Sequence, residues 1–132
     1  MEDWKIKIAA LWIVFECGSI VTGILESWTP GWIEGIIAGE VAGLQLTSEV
    51  ILVFAIVFVI PPFMAFLSLT LKDSINRWAN IIGGIVFVVL ATIGLSNFLA
   101  KLSPWAIVIW VSQVVANALI VWYAWKWPKQ EG

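Results

Sequence analysis

Glu16, Gln113 and Asn117 are polar side chains set inside apolar stretches long enough to cross a bilayer. A carboxylate at membrane depth is costly, so such a group faces protein or a water-filled cavity and commonly takes part in function. Glu16 could relay a proton or hold a cation, and the carboxamides of Gln113 and Asn117 could orient a small ligand beside it. Trp12 and Trp110 lie too deep for interfacial aromatics and share helix faces with these groups, which adds them to the candidate site.

Helical periodicity brings the candidates together. At about 100° per residue, Ala9, Trp12, Glu16, Ser19, Gly23 and Ser27 share one side of the first stretch, with Leu11, Val14, Val21 and Leu25 opposite. In the last stretch Ala106, Trp110, Gln113, Asn117, Ile120 and Ala124 fall on one face. The two stretches run antiparallel, so Gln113 and Asn117 reach the depth of Glu16. The competing reading is interhelical glue, in which each buried hydrogen bond contributes only ~0.6–2 kcal/mol. Under that reading the protein is a non-catalytic accessory or assembly subunit of a membrane complex. Under the other it is a small transporter or ligand-binding protein handling a proton, a cation or a small molecule.

Four stretches must position these groups, at about Ile6–Glu26, Thr47–Leu71, Ala79–Phe98 and Trp105–Trp127. Each meets the ~20 residues that a hydrocarbon core requires. Residues 1–132 read as one all-α membrane domain, an antiparallel bundle of four transmembrane helices. The first stretch is too long and too polar at Glu16 for a cleaved signal peptide. With 61% hydrophobic residues in 132, a soluble fold of this size could not hide its apolar surface.

Composition also removes chemistries. There is no histidine and a single cysteine, Cys17, which excludes an internal disulfide, a CxxC redox pair, histidine-ligated haem and a Ser-His triad. No metal site, cofactor or enzyme activity is expected. A net charge of −2 without a basic patch argues against nucleic acid. The expected partners are the lipid bilayer and further membrane subunits, in a homo-oligomer or a larger complex.

Charge sets the expected orientation. Lys5, Lys7, Lys72, Arg77, Lys126 and Lys129 collect at one end of the bundle, against Lys101 at the other. The positive-inside rule then places a multi-pass protein in the cell membrane with both termini cytoplasmic. Local signals agree on the boundaries. Asp3 and Thr47 or Ser48 suit helix N-caps, Ser103-Pro104 is a cap followed by proline in the first turn, and Thr29-Pro30-Gly31 is a turn.

The 27–46 connection carries an apolar helical face of Trp32, Ile33, Ile36, Ile37, Val41 and Leu44, with Gly35, Ala38, Gly39 and Ala42 opposite. An interfacial amphipathic helix at about 31–44 is expected there, with Glu40 turned to the bundle as part of the site. Pro61-Pro62 should bend the second span and free backbone carbonyls. Asn80, Gly84, Ala91 and Gly94 form a packing stripe in the third, and Arg77 suits an anchor to headgroups.

The runs IIAGEVAGLQLT (Ile36 to Thr47), IPPFMAFLSLTL (Ile60 to Leu71), NRWANII (Asn76 to Ile82) and NALIVWYAWKW (Asn117 to Trp127) resemble a family of small prokaryotic four-helix membrane proteins of unknown function. The resemblance implies four membrane helices and places Glu40, Asn76, Arg77, Asn80 and Asn117 in its motifs. It supplies no activity, and Glu16 lies outside the matching runs. A lone first-helix glutamate near tryptophans is also similar in architecture to small multidrug transporters, but their motifs are absent and their first connection is short.

Overall fold

A computed structural model describes residues 3–41, 43–100 and 103–127. Ala42, Lys101 and Lys129, used above, lie outside the described residues. Helix α1 spans Asp3–Ser27, α2 Trp32–Ile37, α3 Ser48–Thr70, α4 Asp73–Ala100 and α5 Pro104–Lys126. Strands β1 (Glu40–Val41) and β2 (Leu44–Gln45) form a small antiparallel hairpin between α2 and α3. The protein is an all-α membrane protein: α1, α3, α4 and α5 are each long and apolar enough to cross a bilayer. In lipid such segments must satisfy their backbone internally, which a continuous helix does.

The helix ends follow local chemistry. The Thr47 hydroxyl accepts a hydrogen bond from the Val50 N–H at 3.2 Å, the cap expected at the start of α3. Ser103 occupies the cap position of α5 with Pro104 behind it, but its side chain makes no capping bond; its backbone carbonyl accepts from Ile107 N–H instead. Gly31 turns the chain after α1 with φ of 87°.

The connection after α2 departs from expectation. The helix stops at Ile37 rather than running to residue 44, because Gly39 and Gly43 adopt φ of 85° and 80° and reverse the chain. The Gly39 carbonyl is then taken by the Leu46 N–H at 2.7 Å. Glu40 therefore sits on a strand, exposed, and Ile33, Ile36 and Ile37 are exposed too. The short helix expected in this connection is present as α2 but ends seven residues before Leu44, and Glu40 is not directed at the bundle.

The four long helices pack in the order α3–α1–α5–α4. Helices α3 and α4 are neighbours in sequence but touch little, so the arrangement is an open arc. The α4–α5 seam is the tightest. A Cβ on Gly94 would stand 2.6 Å from the Trp110 ring, and one on Gly84 would stand 2.6 Å from a Val121 methyl. Small residues permit that approach, and in lipid such van der Waals packing drives association. Within the arc, Trp12, Phe15 and Phe87 meet edge to face, with ring centroids 5.1–6.5 Å apart.

Candidate functional site

The bulky pair Ile8 and Phe15 decides how α1 is turned. Both are buried with Trp12 and Thr22, so the inward face is rotated by about 60° from the small and polar stripe. Glu16 consequently lies at the margin of the interior. Ala9, Ala10 and Ile13 line a groove of about 500 Å³ with Pro62, Ala65 and Phe66 of α3, and Glu16 continues that flank of α1 one turn on. Glu16 is half-buried, and its Oε1 is enclosed without a hydrogen-bond partner.

Gln113 takes the other side of α1. Its Nε2 donates to the Phe15 carbonyl at 2.8 Å and to Ser19 Oγ at 3.0 Å. The amide lies directly over Gly18, where a Cβ would stand 2.5 Å from Oε1. Around the helix Gly18 lies about 160° and Ser19 about 60° from Glu16, and the Gln113 amide does not reach the enclosed Oε1 of Glu16. Asn117 is fully buried and donates to the Gln113 carbonyl of its own helix at 2.9 Å. The Oε1 of Gln113 and the Oδ1 of Asn117 are buried acceptors without a hydrogen-bond partner.

The two tryptophans point elsewhere. Trp12 Nε1 donates to Asn80 Oδ1 of α4 at 2.7 Å, and Trp110 covers Gly94. Glu40 is remote from all of these on the exposed hairpin. Among the described residues, no three His, Cys, Asp or Glu side chains gather as metal ligands.

A second polar cluster lies nearer the chain's charged end. Asn80 Nδ2 donates to Asn76 Oδ1 at 2.7 Å, and Asn76 Nδ2 donates to the Ser68 carbonyl at 2.8 Å. Ser68 Oγ is within donor reach of the Met64 carbonyl at 2.6 Å and of Asn80 Oδ1 at 3.1 Å. Trp12, Ser68, Asn76 and Asn80 are all fully buried, and the cluster ties α1, α3 and α4 together. Asn80, expected in a packing stripe and in a family motif, is here a hydrogen-bonding hub, and Ser68, to which no role was assigned, is its partner. The available signal was spacing: Asn76 and Asn80 are one turn apart, and Ser68 shares the stripe of Pro61 and Ala65.

Around the cluster the same end is closed by charge and rings. Lys5 Nζ pairs with Asp73 Oδ1 at 2.9 Å. Arg77 Nε donates to the Ala124 carbonyl at 3.1 Å, capping the negative end of the α5 dipole, and its guanidinium lies 5.3 Å from the Trp78 ring and 5.6 Å from that of Trp125. Arg77 thus holds α4 to α5, a structural task beyond the headgroup anchoring expected of it.

Nothing among curated proteins or solved structures matches the chain significantly. The model of a family of unknown function (DUF6326) matches residues 1–132, the same kind of family that the motif runs resemble, and the chain belongs to it.

Proposed function

We propose that this membrane protein handles a proton, cation or small molecule at Glu16, on the α1 flank that faces α3. The observation that carries the reading is the carboxylate itself: it is the one charged residue between Lys7 and Glu26, and one of its oxygens is enclosed with no partner. A group so placed gains from any ligand that brings a donor or a positive charge. Gln113, Asn117, Trp12 and Trp110 then position α1, α4 and α5 rather than contact the ligand. Glu16→Gln keeps shape and hydrogen bonding but removes the titratable proton. The variant is expected to fold normally and to lose the pH dependence of transport or binding in proteoliposomes. Retained pH dependence would leave Glu16 a packing residue.

The second reading, an accessory or assembly subunit, is supported by the bonds of Trp12 and Gln113, which join helix to helix and leave their donors committed. For orientation, the basic end is proposed to face the cytoplasm. In a Cys17→Ser background, Ser74→Cys should resist an impermeant thiol reagent added outside intact cells. Labelling from outside would reverse the topology.

A further inference from the structure

We infer that the half of α3 from Ser48 to Ile60 is a hinged arm, pivoting at Pro61-Pro62, that opens and closes a lateral crevice beside Glu16. The cover's relevance to ligand rests on the function proposed for Glu16; the motion itself does not.

Packing on the two sides of the prolines differs sharply. Past the hinge, toward α4, Pro61, Ala65 and Ser68 are buried, and Met64 lies against Gly83 together with Trp12. Before the hinge no residue from Ser48 to Ile60 is buried, and only Val50 and Val57 are half-buried. Ile51, Leu52, Val53, Ile56 and Val59 are more than half exposed. Helices in a bilayer are held together by packing rather than by escape from water, so this segment loses little by swinging away.

The pivot is built into the backbone. Prolines 61 and 62 have no N–H, so the carbonyls of Val57 and Phe58 lack their intrahelical donors and the helix is weakened there. Ile13 and Pro62 line one groove, and the helices run antiparallel. One turn outward from that level lie Glu16 on α1 and Val57 and Phe58 on α3. The enclosed carboxylate oxygen and the two released carbonyls therefore share one depth. A closed arm would bring acceptors to the acid when it carries its proton, and an open arm would leave it to a ligand.

Phe54 lies on the Pro61 stripe of α3 and Leu90 on the Gly83 stripe of α4, both on the hairpin side of the Met64–Gly83 contact, so the pair reads the separation of the arm from α4. Spin labels at Phe54→Cys and Leu90→Cys, in a full-length Cys17→Ser protein in nanodiscs, test the motion. A pair at Phe66→Cys and Ile82→Cys, nearer the fixed end, serves as reference. The expected result is a broad or two-peaked distance distribution for the first pair and a single narrow peak for the second. Pro61→Ala with Pro62→Ala should narrow the first. Two equally narrow distributions, or breadth that survives the proline replacements, would overturn the hinge.

The cover is tested separately with the carboxyl reagent dicyclohexylcarbodiimide, its reaction at Glu16 followed by mass spectrometry. A reducible bis-thiosulfonate linking Phe54→Cys to Leu90→Cys should slow the modification about tenfold, and reductant should restore the rate. Failure of the linker to join the pair, or an unchanged rate once joined, would overturn the cover. Neither outcome bears on the Glu16→Gln test of function.

Discussion

The two ends of this bundle are built by different means. At the charged end, α1, α3 and α4 share the buried Trp12–Asn80–Asn76–Ser68 cluster, and Arg77 and Lys5 add bonds across helices. At the hairpin end, α4 and α5 stay in register through Gly94 and Trp110, whereas α3 buries no residue before Pro61 and α2 with its hairpin buries none among the described residues. Polar bonds in a membrane are individually small, about 0.6 kcal/mol on average and ~1.7 kcal/mol at most. Several made in one place fix geometry by direction as well as by energy. An end without them is left to apolar packing, which slides more readily. The carboxylate sits at the level where one regime gives way to the other.

The largest expected effect is at Asn80. Asn80→Leu removes the acceptor for Trp12 Nε1 of α1 and the donor to Asn76 Oδ1 of α4, leaving both groups unpaired in the buried core. A loss of about 2–4 kcal/mol is expected, read by equilibrium unfolding in mixed micelles. A change within about 0.5 kcal/mol would mean that packing, not the cluster, holds the charged end.

Gly94→Ala comes next. The added methyl meets the rigid Trp110 ring, and overpacking of this kind costs about 1–3 kcal/mol. The same unfolding measurement checks it. A neutral result would mean that α5 is as loosely held at the hairpin end as α3, which would remove the contrast between those two helices.

The smallest effect is expected at Glu40. It is exposed on β1, so Glu40→Gln should alter stability by no more than about 0.5 kcal/mol and leave any pH dependence intact. A larger change in either would restore this residue to the site.

Much of the architecture was legible in the chain. Each of the four spans falls within or on one long helix, since continuous apolar runs admit little else in lipid, although α4 starts at Asp73, six residues before the expected Ala79. Thr47 and Gly31 performed their expected local tasks because capping and left-handed turns depend on nearest neighbours. The helix drawn through residue 44 failed for an equally local reason. Gly39 and Gly43 fit a helical wheel, but their freedom at positive φ allowed the chain to reverse instead. The candidate site was legible only in part. Depth placed Glu16, Gln113 and Asn117 at one level, but depth carries no information about which side of a helix a neighbour occupies.

The sequence by itself determined the solvent, the number of membrane helices, and the relative level of the polar groups within each apolar run. Those properties follow from hydropathy and from a fixed rise per residue. Tertiary structure alone decided that α1 turns on Ile8 and Phe15, that Trp12 finds Asn80 and that Gln113 rests on Gly18. Each of these depends on how a helix is rotated about its own axis. That rotation is set by the fit of large side chains against glycines on other helices, far away in the chain, and no periodicity within one helix encodes it.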